Sequence, residues 1–175
     1  MRFQLVDRIL ELEPHKRIVT VKNLSLAEEY LGDHFPSFPV LPGVLMLEGL
    51  VQSAGWLVQA STGFRYGQVL LREARAVKYG KFVRPGATLR MDVEALRLGE
   101  DESRFRGVGT VDGEQAVAAR LVVEQRLLGT RGGSGGTDPE AVRQVLRDRF
   151  AAIAAGLDAG GTAESAAAIK EDGTS

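Results

Sequence analysis

The chain has 175 residues, of which 44% are hydrophobic and 26% charged, a balance typical of a globular domain with a modest appendage. With no cysteine and two histidines, it offers no cysteine nucleophile, thiolate metal site or disulfide, and a polyhistidine metal site is not expected. Its 22 Lys and Arg against 23 Asp and Glu leave a net charge of −1, which gives no attraction to nucleic acid or an anionic membrane. The charged first residues do not fit a secretory signal, so we expect a cytoplasmic protein.

The first elements predicted along the chain are a hairpin and a stiff loop. Residues 5–12 and 17–24 are rich in Val, Ile and Leu, and a charged segment containing a proline separates them. Pro36, Pro39 and Pro42 then recur every three residues, and each proline disfavours helical conformation in the residue before it. We therefore expect two paired strands followed by an extended, rigid loop.

A long apolar helix follows this loop. Pro42 stands where a first helical residue is often proline, and residues 44–60 are apolar on nearly every side of a helix. The polar residues Glu48, Gln52 and Gln59 interrupt the run, which favours a helix buried inside a protein over a membrane span.

Strands are predicted in the second half of the chain. Residues 89–95 alternate apolar and charged side chains, the pattern of a strand with one buried face. Residues 69–78, 104–111 and 115–125 are further strand candidates, and the Asp-Gly pair at 112–113 predicts a tight hairpin turn. The element order predicts an α+β fold in which a curved antiparallel sheet wraps around the long central apolar helix.

The composition divides the chain into three parts. Residues 1–128 form the predicted core domain, and the glycine-rich segment 129–137 is predicted to be a flexible linker. Residues 138–175 begin with an N-cap and proline, continue as an amphipathic helix and end in an Ala- and Gly-rich tail. Such a helix serves as a lid over an exposed patch or as a subunit contact, and the sequence leaves both alternatives open.

Acid–base chemistry is indicated by the loop and the start of the long helix. His34 lies on the loop, and an imidazole can act as a base near neutral pH. Glu48 lies among apolar helix residues, where desolvation favours a protonated carboxylic acid, and Gln52 shares its helix face at i+4. Gly43 stands at the helix N-terminus, where backbone N–H groups favour developing negative charge. A hydrogen-bonded structural Glu48, a surface His34 and a plain cap at Gly43 are the alternative interpretations.

The same residues carry a family resemblance. A His-Phe-Pro sequence at 34–36, a Pro-Val-x-Pro-Gly turn at 39–43 and a glutamate fourteen residues after the histidine resemble the signature of the beta-hydroxyacyl-[acyl-carrier-protein] dehydratases. These are hot-dog-fold enzymes of type II fatty acid synthesis. Residues 5–12, 81–86 and 109–113 also match the family pattern, and the resemblance extends over roughly residues 1–127.

The resemblance implies a role for each residue. His34 is expected to remove the α proton of a (3R)-3-hydroxyacyl thioester on acyl carrier protein, and Glu48 to protonate the departing hydroxyl, leaving a trans-2-enoyl thioester. The Gly43 amide is expected to polarise the thioester carbonyl. In this family the two catalytic residues come from opposite subunits, so we expect a homo-oligomer built from dimers, up to a hexamer, with no metal, nucleotide or flavin cofactor.

Two features of the segment bear on substrate handling. Ser37 and Phe38 replace the family's Gly-His, a departure that affects substrate access or loop geometry more than the chemistry. Lys78, Lys81 and Arg84 place three cations in seven residues, which predicts a docking patch for an acidic carrier protein or else an ordinary solvated strand end.

Other functions are compatible with the same fold. A related branch that also isomerises the double bond typically has Asp at the position of Glu48, so Glu48 favours dehydration alone. A hot-dog acyl thioesterase would need no His-Phe-Pro loop, and His34 argues against it. A non-catalytic hot-dog subunit that binds acyl chains or serves in an assembly is the remaining alternative, which the presence of both His34 and Glu48 disfavours.

Overall fold

The computed structural model describes residues 3–33, 37–129 and 138–157. Six strands and three helices occur in these ranges. They are β1 (Arg8–Glu13), β2 (Arg17–Asn23), α1 (Tyr30–Asp33), α2 (Gly43–Ser61), β3 (Tyr66–Tyr79), β4 (Thr88–Arg97), β5 (Glu102–Val111), β6 (Glu114–Leu127) and α3 (Pro139–Ala154). None of the helices in the described ranges is long and apolar enough to cross a membrane.

The strands form one antiparallel sheet in the order β1-β2-β4-β5-β6-β3. Helix α2 packs on one face of this sheet and contacts β2, β3, β4, β5 and β6. The core lies between them, with Leu50 and Leu57 of α2 fully buried against the sheet. This arrangement confirms the α+β prediction of a long central helix packed on a curved antiparallel sheet.

Strand β4 shows why the alternating pattern predicted the sheet correctly. Leu89, Met91 and Val93 are fully buried in the core. The alternate side chains lie on the other face, where Asp92 accepts hydrogen bonds from the Arg17 guanidinium at 2.6 and 2.8 Å. The period of two therefore separates a buried apolar face from an ion-paired face.

The two edges of the sheet differ from the sequence prediction. Leu5 and Val6 are buried, but β1 begins only at Arg8, because the Leu5 N–H donates to the Gln52 side chain at 3.0 Å and not to a neighbouring strand. Strand β3 begins at Tyr66, earlier than predicted, because Tyr66 pairs with Leu127 at the end of β6. Most β3 side chains are exposed or half-buried, so periodicity alone could not define its ends.

The segment after the sheet contains the helix that the sequence predicted. The Asp138 carboxylate accepts a hydrogen bond from the Glu140 N–H at 3.1 Å, which caps α3 with a proline at its first position. Helix α3 lies on its own chain, where Phe150 contacts Trp56 and Phe64 with ring centroids 6.0 and 5.4 Å apart. The predicted linker, apart from Gly129, and the predicted tail beyond Leu157 lie outside the described residues.

Candidate active site

Three of the sequence-predicted site residues, Gly43, Glu48 and Gln52, lie in the N-terminal half of α2. The helix begins at Gly43, after Pro42 in an extended conformation with φ −55° and ψ 137°. Because α2 packs on the sheet through one side, Met46 and Leu50 are buried while Glu48 on another side is half-buried. The sequence predicted a more enclosed carboxyl, and the difference arises because the sheet covers only one side of α2.

Gln52 holds the Glu48 carboxyl. Its Nε2 donates to Glu48 Oε1 at 3.0 Å, one helical turn away. The same Nε2 donates to the Phe3 carbonyl at 3.0 Å, and Gln52 Oε1 accepts from the Leu5 N–H at 3.0 Å. The backbone donor at Leu5 and the backbone acceptor at Phe3 determine which end of the amide is nitrogen. The N-terminal segment therefore orients Gln52 so that it presents an N–H to Glu48.

This hydrogen-bond pattern distinguishes the two oxygens of Glu48. Oε1 is occupied as an acceptor of the Gln52 N–H. A neutral carboxyl group has one oxygen that accepts and one that carries the proton. When Glu48 is neutral, Oε1 accepts from the Gln52 N–H and Oε2 carries the proton and can donate it. In this arrangement Oε2 is the oxygen through which a neutral Glu48 can donate.

Because Gln52 orients the Glu48 carboxyl, we expect Gln52→Leu to lower kcat about tenfold while leaving KM nearly unchanged. The size follows from losing one hydrogen bond of about 1–1.5 kcal/mol that orients the acid. The variant also leaves the Leu5 N–H unpaired, so its free energy of unfolding should fall by about 1–3 kcal/mol. Steady-state kinetics and urea denaturation measure the two effects.

A matched variant separates the two effects of Gln52→Leu. Thr20 Oγ1 lies 2.7 Å from Ser53 Oγ in the buried core, on the side of α2 away from Glu48. Thr20→Val should lower stability by a similar amount and leave kcat within about twofold of wild type. An equal loss of kcat in both variants would show that Gln52 acts on stability alone.

Gly43 lies at the helix N-terminus with an aromatic ring against it. The Leu45 and Met46 N–H groups donate to the Pro42 carbonyl at 2.9 and 3.1 Å, whereas the Gly43 N–H precedes the first helical hydrogen bond and has no acceptor within the helix. A Cβ placed on Gly43 would lie 3.0 Å from Tyr79 Cε1. The absence of a side chain therefore leaves room for Tyr79 beside the helix N-terminus.

Tyr79 is the contact that the sequence did not predict. It ends β3, and its side chain is 51% exposed although it touches Gly43. The only signal in the sequence was an aromatic residue between Lys78 and Lys81. No spacing rule connects positions 43 and 79, because their proximity depends on how β3 passes the start of α2.

His34 lies outside the described residues, as do Phe35 and Pro36. The structure describes both ends of this loop, with α1 ending at Asp33 and the chain resuming at Ser37. Beyond the gap, the Leu41 N–H donates to the Val83 carbonyl at 2.9 Å, which attaches the loop to the segment before β4. The predicted role of His34 therefore remains a prediction.

The non-family residue Phe38 belongs to an exposed aromatic cluster with Phe82 and Arg84. The Phe38 and Phe82 rings meet edge to face with centroids 5.8 Å apart, and Arg84 Cζ lies 4.6 Å from the Phe38 ring centroid. Both phenylalanines remain substantially exposed, at 41% and 61%. Phe38 thus links the loop to one of the three predicted docking cations.

The three predicted docking cations have different surroundings. Lys78 and Arg84 are exposed. Lys81 Nζ lies 2.8 Å from Glu114 and 3.5 Å from Asp112, and its hydrogen bond to Glu114 raises the pKa of Lys81. Its charge is therefore balanced by two carboxylates at the β5–β6 turn. The sequence around 78–84 contains neither of them, so it could not predict this pairing. Among the described residues, Lys78 and Arg84 form no ion pair with a carboxylate, so these two carry the unbalanced positive charge of this surface.

The fold and site define a class of protein. The structure resembles the dehydratase heterocomplex ApeI:P from Xenorhabdus doucetiae, with a TM-score of 0.60 at 18% identity over 74% of this chain and 86% of that one. It also resembles a Streptococcus mutans protein bound to acetyl-CoA, with a TM-score of 0.54 at 14% identity over 73% of this chain and 94% of that one. The protein has the hot-dog fold.

Sequence comparison defines the family within that class. The family model for a FabA-like domain matches residues 1–126. The chain is 40% identical over 119 residues to a 3-hydroxyacyl-[acyl-carrier-protein] dehydratase FabZ of Bacillus pumilus, covering 68% of this chain and 83% of that one. It is 42% identical over 123 residues to the FabZ of Cupriavidus metallidurans, covering 67% and 80%. The chain belongs to the 3-hydroxyacyl-[acyl-carrier-protein] dehydratase family, as its sequence motifs predicted.

Proposed function

We propose that this chain dehydrates 3-hydroxyacyl-[acyl-carrier-protein] to the trans-2-enoyl thioester, with His34 as the base and Glu48 as the acid. The observation that carries the assignment of Glu48 is its hydrogen bond to the oriented Gln52 amide, in a chain that belongs to the dehydratase family.

The reaction uses one proton acceptor and one proton donor. His34 removes the proton from C2 of the thioester, and the electron pair of that C–H bond forms the C2–C3 double bond. The C3–O bond breaks as Glu48 donates the proton on Oε2 to the departing hydroxyl, which leaves as water. His34 gains one proton and Glu48 loses one, and the substrate loses only water. The reaction therefore needs no external oxidant, reductant or cofactor.

Gly43 supports the same reaction through its backbone. Negative charge accumulates on the thioester oxygen as the C2–H bond breaks, and an N–H at a helix N-terminus stabilises such charge. The Gly43 N–H has no acceptor within α2, so it can donate to an oxygen of the substrate. We therefore propose that the Gly43 N–H donates a hydrogen bond to the thioester carbonyl oxygen.

The proposed activity is tested in the reverse direction. Purified protein is mixed with a crotonyl thioester on pantetheine or on carrier protein, and loss of enoyl absorbance reports hydration. The dehydratase assignment requires hydration without release of free thiol. Thiol release without hydration would support a thioesterase, and neither reaction with either carrier would support a non-catalytic acyl-binding or assembly subunit.

We further propose that the active form is a homo-oligomer built from dimers. Strand β3 is an edge of the sheet, and within the described residues its outer side pairs with no strand. It is 14 residues long and exposes Leu70 and Leu71, and such an edge is a template for pairing with another chain. A second copy of β3 is the proposed partner, which would continue the sheet across the dimer. Assembly of these dimers up to a hexamer remains part of the proposal.

Lys78 and Arg84 are proposed to dock the acidic carrier protein. We expect the double variant Lys78→Glu with Arg84→Glu to raise KM for a carrier-protein substrate about tenfold or more, because two attractive charges become repulsive. KM for the same acyl group on pantetheine should not change, and the effect should shrink at high salt. Steady-state kinetics with both substrates at two salt concentrations measure it.

The control for this prediction is another exposed cation. Arg97 ends β4 at the opposite end from the segment that carries Arg84. Arg97→Glu should leave KM for the carrier-protein substrate within about twofold of wild type. If it raises KM as much as the double variant, overall charge and not a docking surface sets the affinity.

A further inference from the structure

Helix α3 and the outer side of α2 enclose a cleft of about 410 Å³ within one chain. This volume lies in the range of roughly 300–1,000 Å³ that is typical of small-molecule sites. The cleft is mainly apolar, and its lining includes Val6, Trp56, Val69, Leu146 and Ile153. Arg149 also lines it and is exposed, so its charged end stays in water.

The cleft and the candidate active site share Gln52. Gln52 is part of its wall and is also the donor to Glu48. Gly55, Trp56 and Gln59 follow on the same side of the helix and line the cleft in turn. Glu48 does not itself line the cleft, so a chain that starts at the reacting carbons beside Glu48 and runs toward the C-terminus of α2 would pass Gln52 to enter it.

The outer wall of the cleft comes from outside the family domain. The FabA-like match ends at residue 126, and Leu146 and Ile153 belong to α3. Phe150 holds α3 in place through its ring contacts with Trp56 and Phe64. Leu146 and Ile153 are only half-buried, so they are available to a ligand in the cleft.

We propose that α3 is the wall of a site for the distal part of a substrate acyl chain and limits the chain length that the enzyme accepts. The proposal rests on the proposed function, since it assigns the occupant as the alkyl end of a thioester bound at Glu48. Hydrocarbon matches the apolar lining, and each buried methylene group contributes about 0.8 kcal/mol. Short acyl chains end before they reach α3, so changes in α3 should not affect their turnover.

The test fills the cleft and compares chain lengths. Ile153→Phe adds volume to the wall, and Val145→Phe makes the equivalent change on the same helix at a residue that is 56% exposed. With Ile153→Phe we expect kcat/KM for a 3-hydroxydecanoyl thioester to fall about tenfold or more, while kcat/KM for 3-hydroxybutyryl stays within about twofold. Val145→Phe should change neither. Equal losses for both chain lengths, or no loss for either, would overturn the proposal.

A binding measurement makes the proposal independent of turnover. Trp56 is the only tryptophan of the chain and lines the cleft, so its fluorescence reports occupancy. Decanoyl-pantetheine lacks the 3-hydroxyl and cannot be dehydrated. We expect it to change Trp56 emission in the wild type at concentrations at least about tenfold lower than in Ile153→Phe. Equal responses in both proteins, or none in the wild type, would overturn the acyl site.

The two measurements separate the possible failures. In the first case, decanoyl-pantetheine changes Trp56 emission, Ile153→Phe loses this binding, and the protein hydrates no crotonyl thioester. This result would support the acyl site and refute the dehydratase function. A protein that hydrates crotonyl thioesters and treats decanoyl chains identically in all variants keeps the dehydratase function and refutes the role of α3.

Discussion

Replacing Glu48 by Gln is expected to lower kcat for hydration and dehydration by roughly 10²–10⁴-fold, the usual contribution of a general acid or base. Glutamine has nearly the shape of glutamate and can still accept the Gln52 N–H, so the site keeps its geometry. The amide N–H that takes the position of Oε2 is too weak an acid to transfer its proton, so the hydroxyl would have to leave unprotonated. His34→Ala should lower kcat by a similar factor because no base remains to take the C2 proton.

The measurement is steady-state kinetics with a crotonyl thioester, with thermal denaturation of each variant to show that the fold is kept. Glu100→Gln makes the same change in charge at an exposed side chain that lies 4.0 Å from the Arg65 guanidinium, and it should retain wild-type kcat. Wild-type turnover by Glu48→Gln would remove Glu48 from the mechanism, and wild-type turnover by His34→Ala would remove His34.

Mixing the two inactive variants tests the proposed dimer. If each site takes His34 from one subunit and Glu48 from the other, a mixed dimer of His34→Ala and Glu48→Gln subunits contains one intact site and one doubly altered site. Activity should therefore reappear after subunit exchange and approach half of the wild-type value per mixed dimer. If both residues of a site came from the same subunit, every site in the mixture would be defective and no activity would return.

Removing the Gly43 N–H is expected to produce the second large loss, roughly 10²–10³-fold in kcat, the usual cost of losing one oxyanion donor. Gly43→Pro removes this N–H at the first helical position, where proline is readily accepted. Pro42 already has the extended conformation that a residue before proline requires, with φ −55° and ψ 137°. The helix should therefore form normally in this variant.

Gly43→Ala is the matched control for the loss of the N–H. Its Cβ meets the same Tyr79 ring at 3.0 Å, so it reproduces the crowding while keeping the donor. The half-exposed Tyr79 can shift, and we expect kcat of Gly43→Ala to stay within about tenfold of wild type. Kinetics and thermal denaturation of both variants decide the matter: similar kcat values in Gly43→Pro and Gly43→Ala would mean that the N–H does not stabilise the thioester oxygen.

Much of the architecture was predictable because it depends on local patterns. The alternation in β4 and the continuous apolar run of α2 identify a half-buried strand and an enclosed helix, since each element's period is set by its own backbone geometry. The edge strand β3 was less well predicted. Its side chains are largely exposed, so the pattern that marks a buried face is weak there.

The sequence by itself determined the fold class and the family, and it supplied the proposed site residues Glu48, Gln52 and Gly43, because spacing within one loop and one helix is a property of neighbours in the chain. Only the tertiary structure decided what surrounds them. The orientation of the Gln52 amide depends on the backbone at Phe3 and Leu5, and the neutralised charge of Lys81 depends on the β5–β6 turn. The wall that α3 adds beside Trp56 likewise depends on contacts between residues distant in sequence, which no local pattern encodes.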